Sequence, residues 1–95
     1  MSAYLIATID VADPEQYGEY TKLSPAIIAK FDGKFLARGG STVSLEGPEP
    51  SGRVVVLEFP SVEHAQRFYE SDEYQHAKSL RVKAASAQFF IVDGV

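Results

Sequence analysis

The chain contains no cysteine, no tryptophan and no asparagine, a single methionine and two histidines. Without thiols, disulfides, thiolate metal sites and a cysteine nucleophile are excluded. No Gly-x-Gly-x-x-Gly, phosphate loop, Gly-x-Ser-x-Gly elbow or His-Glu-x-x-His occurs, so the commonest nucleotide, hydrolase and zinc signatures are missing. Long apolar runs are missing too. The longest near the start, Ala3 to Ile9, is far short of the ~20 residues that span a bilayer. No cation precedes it, unlike the basic leader of a signal peptide, so a cytoplasmic protein without membrane association is expected. A basic stripe is the last absence: nine Lys and Arg lie scattered among thirteen Asp and Glu, giving a net charge of −4. Phosphate backbones are held by clustered cations, so nucleic acid is not an expected partner.

What is present reads as one globular domain over residues 1–95. Hydrophobic residues make up 45% and charged residues 23%, and a chain of this length encloses one core. Ala3 to Val11 has the β-branched and aromatic character of a strand. Asp13-Pro14 starts a helix whose apolar residues Tyr17, Tyr20, Leu23, Ile27, Ile28 and Phe31 recur at helical spacing. Ser24-Pro25 predicts a kink, or a second helix beginning at Pro25, because proline lacks the backbone donor. Asp32-Gly33 ends the helix and Lys34 to Arg38 forms a second strand. Thr42 to Glu46 is expected to continue it, pairing as a hairpin with Arg53 to Phe59. Ser61 caps a further helix and Ser71 a new one running to about Lys83, and Ser86 to Val92 is the last strand.

The order is β-α-β-β-α-β, a ferredoxin-like α+β subunit with a four-stranded antiparallel sheet. Right-handed crossovers place both helices on one face. Alternation separates Leu5, Ala7 and Ile9 from Tyr4, Ile6 and Thr8, and Val55, Leu57 and Phe59 from Val54, Val56 and Glu58. Phe89 with Ile91 and Phe90 with Val92 repeat the pattern, so neither face is polar. Covering a few hundred Å2 of the bare face is worth several kcal/mol at ~25 cal/mol per Å2, and a homodimer through the sheet face is the simplest way to cover it.

Candidate chemistry is sparse. Arg38 sits at a strand end beside Gly39-Gly40, where a cation and free amides could hold an anion; its alternative role is an ion pair with Glu58 across the hairpin. Tyr69 to Gln75 gathers a hydroxyl, acids and the phenols of Tyr69 and Tyr74 at a helix junction, with Arg81 two turns further on; it could receive a carboxylate, or serve simply as a cap through Ser71, Asp72 and Glu73. Glu73 and His76 have the Glu-x-x-His spacing of paired metal ligands but no equivalent elsewhere, so no metal is expected. His64 could act as a base, although its helix-start position reads as solvated. Tyr20 reads as a core residue whose hydroxyl needs a partner.

Three stretches carry a resemblance: Gly33 to Gly40, Val54 to Ser61 and Phe68 to Gln75. In this order they resemble the domain of unknown function 1330 family, over nearly the whole chain. The resemblance implies a ferredoxin-like subunit of the dimeric α+β-barrel superfamily, with two sheets packed as a barrel, and implies no established reaction. It marks Arg38, the Ser71 to Tyr74 segment and Arg81 as pocket positions. With Tyr20, the candidate ligand-binding set is therefore Tyr20, Arg38, Ser71, Tyr74 and Arg81, with no cofactor expected and no catalytic residue assigned. Asp32-Gly33 departs from a common glycine pair, and Phe68 stands where tryptophan is usual. Two functions compete. One is a protein that binds or converts a small carboxylate- or carbonyl-bearing molecule without a cofactor, oriented by Arg38 and Arg81. The other is a non-catalytic dimerisation or ligand-sensing module with a filled interior. Haem degradation fits less well, since tryptophan and asparagine are absent and no histidine is evidently buried.

Overall fold

A computed structural model describes residues 2–95. The elements are β1 (Ala3–Val11), α1 (Pro14–Lys30), β2 (Lys34–Arg38), β3 (Arg53–Phe59), α2 (Val62–Glu70), α3 (Asp72–Arg81) and β4 (Ala85–Asp93). The sheet order is β2-β3-β1-β4 and every neighbouring pair is antiparallel. This is the expected ferredoxin-like subunit, its second crossover split into α2 and α3 at Ser71. No helix among the described residues is long and apolar enough to cross a membrane.

Local chemistry explains the helix ends. The Asp13 carboxylate accepts from the Gln16 N–H at 3.1 Å, and Pro14 occupies the first turn, where its missing donor is not needed. At the other end Gly33 N–H donates to the Ile28 carbonyl at 2.9 Å and Asp32 N–H to Ala29 at 3.0 Å, while Asp32 takes the left-handed conformation with φ 63. That position favours glycine, and aspartate is among the few other residues that adopt it readily. Ser61 accepts from His64 N–H and Ser71 from Tyr74 N–H, capping α2 and α3 as expected.

Two expectations fail. Of the two outcomes expected at Ser24-Pro25, the second helix does not form: α1 runs without interruption to Lys30, its other hydrogen bonds and its packing on α3 outweighing the one lost donor. Thr42 to Glu46 is not a strand. Residues 39–52 form a long exposed connection in which Val43 and Leu45 are 82% and 93% exposed; strand-forming residues without a partner strand have no ladder to join. The connection rejoins the sheet at Gly52, whose φ is +72 and where an added Cβ would lie 2.1 Å from the Ile9 carbonyl oxygen, so only glycine fits. Smaller differences are that α3 ends at Arg81 rather than Lys83, and β4 extends to Ala85 and Asp93.

Alternation decides the core. Ala3, Leu5, Ala7, Ile9, Val55, Leu57 and Phe59 are buried beneath the helices, with Phe68 and Tyr74 from above. The opposite face carries Tyr4, Ile6, Val54 and Val56, with Phe90 and Val92 each 44% exposed. Register lines Val56, Ile6 and Phe90 up side by side across three strands, an apolar band with no helix over it.

Candidate functional site

The helix-facing side of the sheet is covered unevenly. α2 packs on β1, β3 and β4, whereas α1 packs chiefly on α3, and large side chains bridge from α1 to the sheet. Tyr17 and Tyr20 reach down from α1, and the Tyr20 and Tyr74 hydroxyls bond to each other at 2.9 Å in the interior. The hydroxyl partner that buried Tyr20 requires is therefore another phenol. The space left under α1 is about 30 Å³ and is bordered by Tyr17, Tyr20, Phe35, Arg38 and Arg53 among others. That is room for one water-sized group.

A larger groove of about 480 Å³ opens at the β4 edge, between β4 and the α2–α3 corner. Tyr69 and Phe89 form aromatic walls, Arg81 and Lys78 supply cations, and Glu70 and Gln66 stand at the α2 side. Arg81 sits in α3 seven residues after Tyr74 and four after Ala77, on the same buried stripe. Only 4% of it is exposed. Its guanidinium lies 4.4 Å from the Phe89 ring centre and 5.6 Å from that of Tyr20, and its Nε is buried without a hydrogen-bond partner. Among the described residues it forms no ion pair. Aromatic faces compensate part of the lost hydration of such a cation, but a buried charge ordinarily has an anionic partner.

The five positions expected to share one pocket are thus divided. Tyr20 and Tyr74 form the interior pair, with Arg81 packed beside Tyr20 and lining the groove. Arg38 stands at the mouth of the small space under α1 and does not line the groove. Ser71 is occupied as a cap, its hydroxyl donating to the Phe68 carbonyl at 2.8 Å while accepting from Tyr74 N–H at 3.1 Å. The Arg38–Glu58 pair does not form: Glu58 bonds Lys34 at 3.2 Å on the other face of the sheet, and Arg38 lies over the Phe35 ring at 4.4 Å. Glu73 pairs with Lys30 of α1. His64 bonds the Ser61 hydroxyl through Nδ1 at 2.7 Å and lines neither space. Among the described residues no three potential metal ligands stand together.

Sequence reasoning did not single out Arg53 or Lys78, and named Tyr69 only within the junction cluster. For Arg53 the signal was available: counting back by two from Leu57 and Val55 puts a charge at an inward-facing position of β3.

Burial keeps the interior phenols neutral. Tyr20 is held well above the ordinary phenol value of 10.0 by burial and by neighbouring Tyr74. Burial also raises Tyr17, against the pull of Arg53, Arg81 and Arg38, and raises Tyr74 against Tyr20 and Arg81. None of the three can act as a base near neutral pH. A folded-state pKa raised above the unfolded one favours the protonated, folded form, so this contribution to stability is complete below about pH 10 and is lost as pH rises beyond it. Titration followed by phenolate absorbance should show three of the five tyrosines ionising only as circular dichroism is lost. Ionisation of all five near pH 10 with the fold intact would contradict the burial argument.

The model of the domain of unknown function DUF1330 matches residues 2–95. The chain belongs to this family. No functionally curated protein is similar enough to count as a relative. Among solved structures, a protein of unknown function from Rhodopseudomonas palustris is similar with a TM-score of 0.74 and 21% identity, over 99% of this chain and 82% of that one. A dimeric protein of unknown function and ferredoxin-like fold from Bacteroides fragilis superposes with a TM-score of 0.64 at 11% identity, over 98% and 96%. SnoaB, a cofactor-independent oxygenase from Streptomyces nogalater, gives 0.63 at 8% identity, over 99% and 93%. Identities this low establish for the DUF1330 chain a shared fold and nothing of its chemistry.

Proposed function

We propose that this protein binds a small, flat, carboxylate- or carbonyl-bearing molecule without a cofactor, in the groove at the β4 edge, with Arg81 holding the ligand's oxygen. The observation that carries this reading is the burial of Arg81 without a carboxylate partner. An anion there would supply the charge-assisted contact that no carboxylate among the described residues makes with Arg81. Tyr69 and Phe89 offer flat walls for the body of the ligand, and Lys78, over the Tyr69 ring at 5.2 Å, adds a second cation. A volume of about 480 Å³ lies within the range of small-molecule sites. The same fold in a cofactor-independent oxygenase is an analogy to the cofactor-free part of the proposal and not evidence for it.

The test uses benzoate, 4-hydroxybenzoate and benzyl alcohol as probes, by calorimetry on the intact protein. The carboxylates should bind and the alcohol should not. Arg81→Met should weaken carboxylate binding at least thirtyfold, because removing one partner of a buried charge pair costs about 2–5 kcal/mol. Arg81→Lys, which keeps the charge and loses the fork, should fall between. Unchanged affinity in both variants removes Arg81 from the site, and no binding of any carboxylate leaves the alternative, a non-catalytic dimerisation or sensing module. The nearly filled interior under α1 is the observation in favour of that alternative.

We also propose that two copies pair through the apolar outer face of the sheet, as the dimeric relatives of this fold suggest.

A further inference from the structure

A second cationic site lies on the other side of Phe89 from the groove, and the sheet register builds it. β2 pairs with β3 as Phe35↔Leu57, Ala37↔Val56 and Arg38↔Val55, with an irregularity between Phe35 and Ala37. The extra residue is Leu36. Without it, simple alternation would put Arg38 on the face opposite Phe35; with it, Arg38 shares the helix side with Phe35 and Val55. Arg53, two residues before Val55 and opposite Ile9, is on that side too. The two arginines are therefore diagonal cross-strand neighbours.

Both are held in place by packing. Arg38 lies over Phe35, and Arg53 lies 5.6 Å from the Tyr17 ring centre. Gly39, with φ +71, lets the backbone approach so closely that a Cβ would stand 2.9 Å from the Arg53 guanidinium. Arg53 Nε is buried without a partner, and among the described residues neither arginine forms an ion pair. The nearby carboxylates are committed elsewhere: Asp10 accepts from the Ser51 hydroxyl, and Glu58 pairs with Lys34 on the opposite face. Like charges on adjacent strands repel, and among the described residues no carboxylate pairs with either of them. The space they border, about 30 Å³, admits one oxygen of a ligand and not its body. Arg38 is exposed on the outer side, so the remainder of a bound group would face solvent.

We infer that Arg38 and Arg53 form a clamp for a dianionic phosphate-type group, one oxygen entering the space beside Tyr17 and the others bridging the two guanidinia. A phosphoryl group supplies two negative charges for two fixed cations and enough acceptor oxygens for both forks. A single carboxylate supplies one charge. The site is separate from the Arg81 groove and stands or falls independently of it.

Calorimetry with inorganic phosphate and with phenyl phosphate tests the clamp, on the whole protein at low ionic strength. Both should bind at one site per chain; preference for phenyl phosphate assigns the source to an organic phosphomonoester, and equal affinity assigns it to free phosphate. Arg53→Met and Arg38→Met should each weaken binding at least tenfold. Arg53→Lys, which preserves charge and packing length, keeps the test valid if Arg53→Met unfolds, and should still lose most of the affinity. Phosphate should also shift the Gly39 and Gly40 amide resonances while leaving benzoate affinity at the groove unchanged. No phosphate binding at 10 mM, or affinity unchanged in the arginine variants, overturns the proposal.

Discussion

Ile6→Lys is expected to be a monomer at micromolar concentration, where the proposed pairing through the outer sheet face makes the parent protein a dimer, as read by sedimentation equilibrium. Ile6 stands at the middle of the outer sheet face, flanked by Val56 on β3 and Phe90 on β4, where no helix covers it. Placing an unpaired polar head in a buried interface costs about 2 kcal/mol or more. A symmetric pair places the same surface on both copies, so the total is about 4 kcal/mol, roughly a thousandfold in the dimer dissociation constant. The helix-facing core lies on the other side of the sheet, so each subunit should keep its secondary structure. A dimer that survives Ile6→Lys with unchanged affinity would place the interface somewhere other than this face.

Phe68→Ala is expected to lower the thermal midpoint by at least about 12 °C. Phe68 is 1% exposed and stands among Tyr74, Phe59 and Phe31, with ring centres at 4.5, 5.3 and 6.3 Å. Truncating a buried phenylalanine typically costs about 3–5 kcal/mol, through lost transfer free energy and the cavity left behind. For a domain near 100 residues each kcal/mol moves the midpoint by about 4–8 °C. The neighbours belong to β3, α3 and the residue that follows α1, so no single element can close the hole. A midpoint within about 3 °C of the parent would mean that the cluster repacks and is not the centre of the core.

The same residue shows how far family resemblance reaches. Phe68 stands where tryptophan is usual, and its ring is packed at the heart of the subunit, bordering the small space under α1. The strands, caps and helix faces were legible because local rules act on them alone: Asp13, Ser61 and Ser71 cap as their types dictate, and alternation in β1 and β3 sorts inner from outer residues. The second helix at Pro25 and the Thr42 to Glu46 strand were misread for the opposite reason. Whether one missing donor ends a helix, or a strand-forming run finds a ladder, depends on what packs alongside. α1 has α3 beside it; residues 42–46 have nothing.

From the sequence alone came a ferredoxin-like subunit with apolar residues on both sheet faces, because periodicity and capping are properties of neighbours in the chain. Which cations lie side by side belonged to the tertiary structure. One extra residue at Leu36 turns Arg38 toward the helices and beside Arg53, while the turn of α3 carries Arg81 to a different opening across Phe89. Side-chain direction in a strand reverses with each residue, so a single irregularity in the ladder, invisible in composition or spacing, decides which charges meet.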